Sequence, residues 1–217
     1  MQTQSQGFFI TGSDTGVGKT WIGCKLIRQL QVKYPSVKVR KPVESGCDIV
    51  NGAYFPADGN ALFQANNQRE SLDIITPFRF QAALAPDRAA SMENQLLTID
   101  QIQAACLKQT NKDDLLLVEG AGGFYSPLCS DGLNSDLAKQ LNLKVIIVCE
   151  DRLGAINQAL LTISAVKQEG LEIQAVILNQ NKALLNTNLG NRQDLSRRSE
   201  IPVYSCAFQS EIEGQVV

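Results

Sequence analysis

Histidine is absent from the whole chain. That absence removes the commonest general base and the commonest metal ligand together. Serine-histidine hydrolases, papain-like proteases and zinc enzymes with histidine ligands are excluded, so any chemistry must use lysine, carboxylate, hydroxyl and backbone groups. A basic excess is missing as well. Lysine and arginine total 20 against 22 aspartate and glutamate, a net charge of -2 that gives no footprint for duplex nucleic acid. The longest apolar runs, such as Leu115 to Val118 and Val145 to Cys149, fall far short of the roughly 20 residues a bilayer requires, so no membrane contact is expected. No CxxC pair occurs. The six cysteines, Cys24, Cys47, Cys106, Cys129, Cys149 and Cys206, are scattered, several inside apolar runs, and read as reduced packing thiols. The opening MQTQSQ has neither the basic region nor the cleavage site of a signal peptide, so the expected location is the cytoplasm.

What is present is the composition of a globular protein: 217 residues, 44% hydrophobic and 19% charged, enough for one substantial core and an expected single domain over 1–217. Apolar, β-branched runs at Gly7 to Thr11, Val37 to Val43, Leu115 to Glu119, Lys144 to Glu150 and Ile173 to Leu178 read as buried strands. Between them, apolar residues recur at three- and four-residue spacing over Lys19 to Tyr34, Thr98 to Gln109, Ser135 to Leu141 and Ala155 to Gln168, the period of helices. This alternation predicts an α/β, three-layer fold with a mostly parallel central sheet, whose ligands collect beyond the carboxyl ends of the strands. Glu44 to Pro86, rich in glycine and proline, predicts loops and short helices, with Asp48 to Gly52 disordered without ligand.

The segment Gly12 to Thr20, GSDTGVGKT, follows an apolar strand and precedes a helical pattern. Strand, glycine loop and helix in that order make a phosphate-binding loop, because glycines let backbone N–H groups face a phosphate and the helix start adds partial positive charge. Lys19 is predicted to reach the terminal phosphates and the Thr20 hydroxyl to ligate Mg2+. The spacing is one residue longer than GxxxxGK[ST], which puts Ser13 at the position of the first glycine. Glu119 ends the apolar strand LLLVEG, where an unpaired carboxylate is costly, so a cation partner is expected. Magnesium takes hard oxygen ligands, for which Thr20, Asp58 and Glu119 are the candidates.

Further along come KPVESG at Lys41 to Gly46, VEGAGGFYSPL at Val118 to Leu128 and DRLGAINQALLT at Asp151 to Thr162. With the loop, and in this order, these strings resemble the dethiobiotin synthetase family, a P-loop NTPase-like group. The resemblance implies ATP-dependent carboxylation and cyclisation of 7,8-diaminononanoate with CO2, giving dethiobiotin, ADP and phosphate in biotin synthesis. It implies a carbamate, a carbamic-phosphoric anhydride and ring closure, in a homodimer whose substrate site lies at the interface. Carried over by motif, Lys19 contacts phosphates and carbamate, Lys41 steadies carbamate oxygens and the transferring phosphate, and Ser45 and Thr15 line the substrate pocket. Ser13, Asp14, Thr15, Gly16, Val17, Gly18, Lys19 and Thr20 hold ATP, with Glu119, Gly120, Gly122, Asn179 at the adenine edge, and Pro202. Gly154, Ala155, Ile156 and Asn157 receive the substrate carboxylate across the dimer. Asp87 stands where the family often has histidine, and Gln209 where proline is usual. Asp14 occupies the position of the signature lysine of dimeric partitioning-type switch ATPases, which argues against that reading. The missing histidine argues against a glutaminase-linked synthetase.

Overall fold

The computed structural model describes residues 6–183 and 189–217. The first half runs β1 (Gln6–Gly12), α1 (Lys19–Lys33), β2 (Val37–Arg40), β3 (Val43–Ser45), β4 (Asp48–Val50), β5 (Ala53–Phe55), α2 (Ala57–Ala65), α3 (Leu72–Ile75) and β6 (Phe78–Phe80). Then follow α4 (Pro86–Met92), α5 (Ile99–Leu107), β7 (Leu115–Gly123), β8 (Pro127–Cys129), β9 (Gly132–Leu133) and α6 (Asn134–Leu141). The chain continues through β10 (Lys144–Glu150), α7 (Ala155–Gln168), β11 (Ile173–Asn179), α8 (Asn191–Arg198) and β12 (Val203–Cys206).

Six strands form one sheet in the order β12-β11-β10-β1-β7-β2, and every neighbouring pair is parallel. Parallel strands need crossovers, so helices cover both faces and the central strands are buried on both sides. Side chains split by the strand period of two. On β7, Leu115 and Leu117 join Ile22, Leu26 and Leu30 of α1 in one core, while Leu116 and Val118 join Leu137 of α6 and Ile163 of α7 in the other. The predicted three-layer α/β architecture is therefore observed. No described helix is long and apolar enough to cross a membrane.

Two sequence expectations are corrected, and two elements that the apolar pattern did not reveal are added. The strand expected over Val37 to Val43 ends at Arg40. Pro42 has no N–H for a ladder, Lys41 N bonds to Ile75 O at 2.8 Å, and Val43 opens a separate strand, β3, paired with β6. The stretch Asp48 to Gly52 is not a loop but most of a hairpin, β4 with β5, turned by Asn51 and Gly52. Both turn residues have positive φ, 52° and 78°, as a two-residue type I′ connection demands. Beyond Asn179 the chain adds α8 and β12 to the sheet's edge, neither of which the apolar pattern revealed.

Candidate active site

The glycine loop leaves β1 at the carboxyl edge of the sheet, where Ser13 N donates to Val148 O of β10 at 2.9 Å. Helix α1 starts at Lys19 with no side-chain cap and no acidic residue in its first turn. Its free N–H groups and dipole therefore face the loop without competition, as an anion site requires. Gly18 sits at φ 90°, and a Cβ there would lie 2.2 Å from Asn179 Nδ2. Both the backbone angle and the contact exclude any side chain. Gly18→Ala is expected to displace the loop and weaken nucleotide binding by more than tenfold, since strain of about 1–3 kcal/mol adds to the steric clash; calorimetric titration with ADP checks it.

Two asparagines hold the loop from the end of β11. Asn179 Nδ2 donates to Val17 O at 3.0 Å and to Asn181 Oδ1 at 2.7 Å, and Asn181 Nδ2 donates to Gly16 O at 2.9 Å. Asn179 Oδ1 stays buried without a partner. Asn181 escaped sequence reading because its contact is 165 residues away.

Lys19 is buried, and its Nζ donates to Asp14 O at 3.0 Å. Burial, reinforced by the neighbouring Lys41 charge, lowers its pKa to about 8, against the opposing pull of Glu119, Asp58 and Asp14. Phosphates favour the charged form, so nucleotide binding takes up a proton wherever free Lys19 is neutral. Below about pH 8 the affinity is insensitive to this group. Above it, Kd for ADP is expected to rise by about tenfold per pH unit, measurable by calorimetry from pH 7 to 9.5.

Beside the loop lies a buried ionic cluster. Glu119, in β7, accepts at Oε1 from Thr20 Oγ1 and from Lys41 Nζ, both at 2.8 Å. Lys41 Nζ also donates to Gly120 O at 3.1 Å and lies 3.5 Å from Asp58 Oδ2. Burial works against the Lys41 charge, but the Glu119 and Asp58 carboxylates outweigh it and hold its pKa above the ordinary lysine value. Lys41 is thus held in its charged form by its carboxylate neighbours. Glu119 Oε2 is buried with no partner. An orphaned carboxylate oxygen next to a threonine hydroxyl and a half-exposed aspartate is what a hard divalent cation takes when phosphates and water complete its shell. Thr20, Asp58 and Glu119 therefore fit Mg2+.

A cleft of about 290 Å³ joins these groups, lined by Thr15, Gly16, Gly18, Lys19, Thr20, Lys41, Glu44, Ser45, Asp58, Glu119, Ala121 and Gly122. Ser45 lines the cleft, and its Oγ donates to Leu84 O at 2.7 Å, which ties it to the loop before α4. Glu44, which sequence reading passed over, sits inside the same wall. Asn134 shapes the glycine-rich end of β7, accepting from Ala121 N at 2.9 Å and donating to Ala121 O at 2.7 Å. A larger cavity, about 470 Å³, opens at the amino ends of the strands beside Phe8 and Lys144. It is at the wrong edge for ligands of a parallel sheet and far from the ionic cluster.

Ser13, Asp14, Val17, Gly120 and Asn179 are not among the residues that line this cleft, and two further groups of expected residues lie apart from it. Gly154, Ala155, Ile156 and Asn157 open α7 at the same edge of the sheet, with Gly154 at φ 89° and Asn157 exposed, but they do not line the pocket of their own chain. Pro202 precedes β12 at its amino end. Cys206 is in register with Asn179, so Pro202 lies four residues lower, roughly 13 Å from the nucleotide edge. The structure does not bring it to the site. Ala207, Phe208 and Gln209 follow the carboxyl end of β12 instead.

A parallel sheet with a strand-loop-helix phosphate cradle, a loop lysine and a magnesium-ready threonine and carboxylate defines a P-loop nucleotide enzyme. A family model described as an AAA domain matches residues 6–209. The chain is 42% identical over 213 residues to the ATP-dependent dethiobiotin synthetase BioD of Vesicomyosocius okutanii subsp. Calyptogena okutanii, covering 97% of this chain and 95% of that protein. It is 37% identical over 198 residues to the protein of the same name from Ruthia magnifica subsp. Calyptogena magnifica, covering 91% and 89%. Among solved structures, the MinC:MinD cell division protein complex of Aquifex aeolicus matches with a TM-score of 0.56 at 14% identity, covering 94% of this chain and 81% of that one, a likeness of fold alone. The chain belongs to the ATP-dependent dethiobiotin synthetase family.

Proposed function

We propose that this chain carboxylates and cyclises 7,8-diaminononanoate with CO2 at the expense of ATP, releasing dethiobiotin, ADP and phosphate, as one P-loop synthetase domain spanning 1–217. The observation that carries this reading is the convergence of two buried lysines, Lys19 and Lys41, with Thr20, Asp58 and Glu119 in one cleft at the carboxyl edge of the sheet. An amine of the substrate adds to CO2 and loses a proton to give a carbamate. The carbamate oxygen then attacks the terminal phosphorus, and ADP leaves. Finally the second amine attacks the carbamate carbon, phosphate leaves, and the cyclic urea closes with loss of a proton.

Every stage places negative charge near Lys41, whose ammonium is fixed by Glu119 Oε1 and Gly120 O before substrate arrives. Preorganised charge of this kind lowers the barrier without any reorganisation at the moment of reaction. Lys19 neutralises the phosphates from the loop side, and no histidine is needed. Thr20, Glu119 and Asp58 would hold Mg2+, which would supply Lewis-acid neutralisation of the phosphate oxygens. Thr15, Ser45 and Gly122 line the cleft that receives the substrate in this reading, and Asn179, which supports the loop at Val17 O, is assigned to the adenine edge.

The start of α7 belongs to the same reading as a contribution to a neighbouring subunit. Leu153, 86% exposed, adjoins Gly154, and Leu161, 63% exposed, is on the same helix, which supports a homodimer contact there. ADP release should require both diaminononanoate and bicarbonate, and turnover per chain should fall on dilution below the dimer dissociation constant. ATP hydrolysis at the same rate without either substrate refutes the reading.

A further inference from the structure

Helix α2 begins behind Pro56, which has no side-chain oxygen to cap it. Its second and third residues, Asp58 and Gly59, therefore carry N–H groups with no partner in the helix. Both are answered from another element. Glu44 of β3 accepts Asp58 N at Oε1, 2.9 Å, and Gly59 N at Oε2, 2.8 Å. The Glu44 side chain is buried, and Gly59 is packed so closely that a Cβ would meet Thr76 Oγ1 at 2.0 Å. The first turn of α2 thus has one seat. Asp58, half-exposed and 3.5 Å from Lys41 Nζ, takes its place in the cleft from that seat.

We propose that Glu44 is a positioning residue for the metal-binding side of the cleft: its bidentate grip on the first turn of α2 holds the Asp58 carboxylate towards Lys41 and Glu119. The inference rests on the reading of Asp58 as a Mg2+ ligand. The carboxylate of a cap gains from the helix dipole as well as from two charge-assisted bonds, so no neutral residue replaces it fully. Loss of the grip frees Asp58 without touching Thr20 or Glu119, so affinity for the metal falls while the loop keeps its nucleotide.

The test compares Glu44→Ala, Glu44→Gln and Asp58→Asn in the full chain. Mn2+ binding to the enzyme with ADP is read from the electron paramagnetic resonance of free Mn2+, alongside ADP affinity without metal and the melting temperature. Glu44→Ala is expected to weaken Mn2+ binding roughly 10- to 100-fold with metal-free ADP affinity unchanged, as for other residues that orient a metal ligand. Glu44→Gln, which keeps one acceptor, should fall between it and the parent. Wild-type Mn2+ affinity in a folded Glu44→Ala protein that binds ADP, with Asp58→Asn impaired, overturns the proposal. If Glu44→Ala does not fold, wild-type affinity in Glu44→Gln overturns it. Wild-type affinity in Asp58→Asn overturns the metal reading on which it stands.

Discussion

Lys41→Met should lower kcat by roughly 100- to 1,000-fold, the cost of removing one preorganised donor from a developing oxyanion. Lysine and methionine are similar in length, so the side chain still fills its slot, and what is lost is the charge. ADP binding should change little, because Lys19, Gly18 and the start of α1 make the phosphate cradle without Lys41. A second consequence is structural. Glu119 loses its ammonium partner in a site where both side chains are buried, and breaking such a pair costs about 3–5 kcal/mol. The stability loss is isolated in the double variant Lys41→Met with Glu119→Gln, which removes the stranded charge, so denaturant melts should recover towards the parent. Turnover is read on Lys41→Met alone, because Glu119 is itself a proposed Mg2+ ligand. Parental kcat in a folded Lys41→Met would mean that Lys41 is not part of the chemistry.

The features that were legible in the sequence are those that depend on neighbours along the chain. The phosphate loop is one, because strand, glycines and helix start are consecutive, and the structure places Lys19 and Thr20 where that order requires. The central strands are another: β10 matches its expected bounds because five consecutive buried residues, Val145 to Cys149, leave a continuous apolar run between Lys144 and Glu150. Residues that act across the fold left no local trace. Asn181 and Glu44 are polar residues whose partners are set by tertiary contact, and Arg40 meets Glu70, Cys106 and Lys108 only through the fold. Helix α8, NRQDLSRR, offers one deeply placed aliphatic residue, Leu195, so its period was too faint to detect. Pro202 shows how a motif match can mislead when polarity is ignored. The segment matched lies before a strand, whereas ligands of a parallel sheet gather after it. The Asn51-Gly52 pair was visible as a hairpin turn but lay inside a stretch read as loop.

Glu70→Ala is expected to destabilise the protein by about 3–5 kcal/mol, since it strands a fully buried guanidinium. Arg40 has no exposed surface at all. It donates from Nη1 to Glu70 Oε1 and to Val39 O, each at 2.7 Å, from Nε to Cys106 O at 3.0 Å and from Nη2 to Lys108 O at 2.7 Å. The last two acceptors are at the carboxyl end of α5, where a cation offsets the dipole and satisfies carbonyls that have no helical partner. Glu70 Oε2 in turn accepts Val39 N at 2.9 Å. One ion pair thus ties the edge strand β2 to the segment before α3 and to α5, immediately before Lys41. For a total stability of about 5–15 kcal/mol, the loss is a large share, and a fall in Tm of about 10 °C is expected. Arg40→Met with Glu70→Leu should cost much less than Glu70→Ala alone, because no charge is then left unpaired. Whatever stability the double variant keeps, its kcat tells whether the anchor also sets Lys41. Loss of turnover at unchanged ADP affinity would tie the anchor to the chemistry, and parental turnover would confine it to the fold.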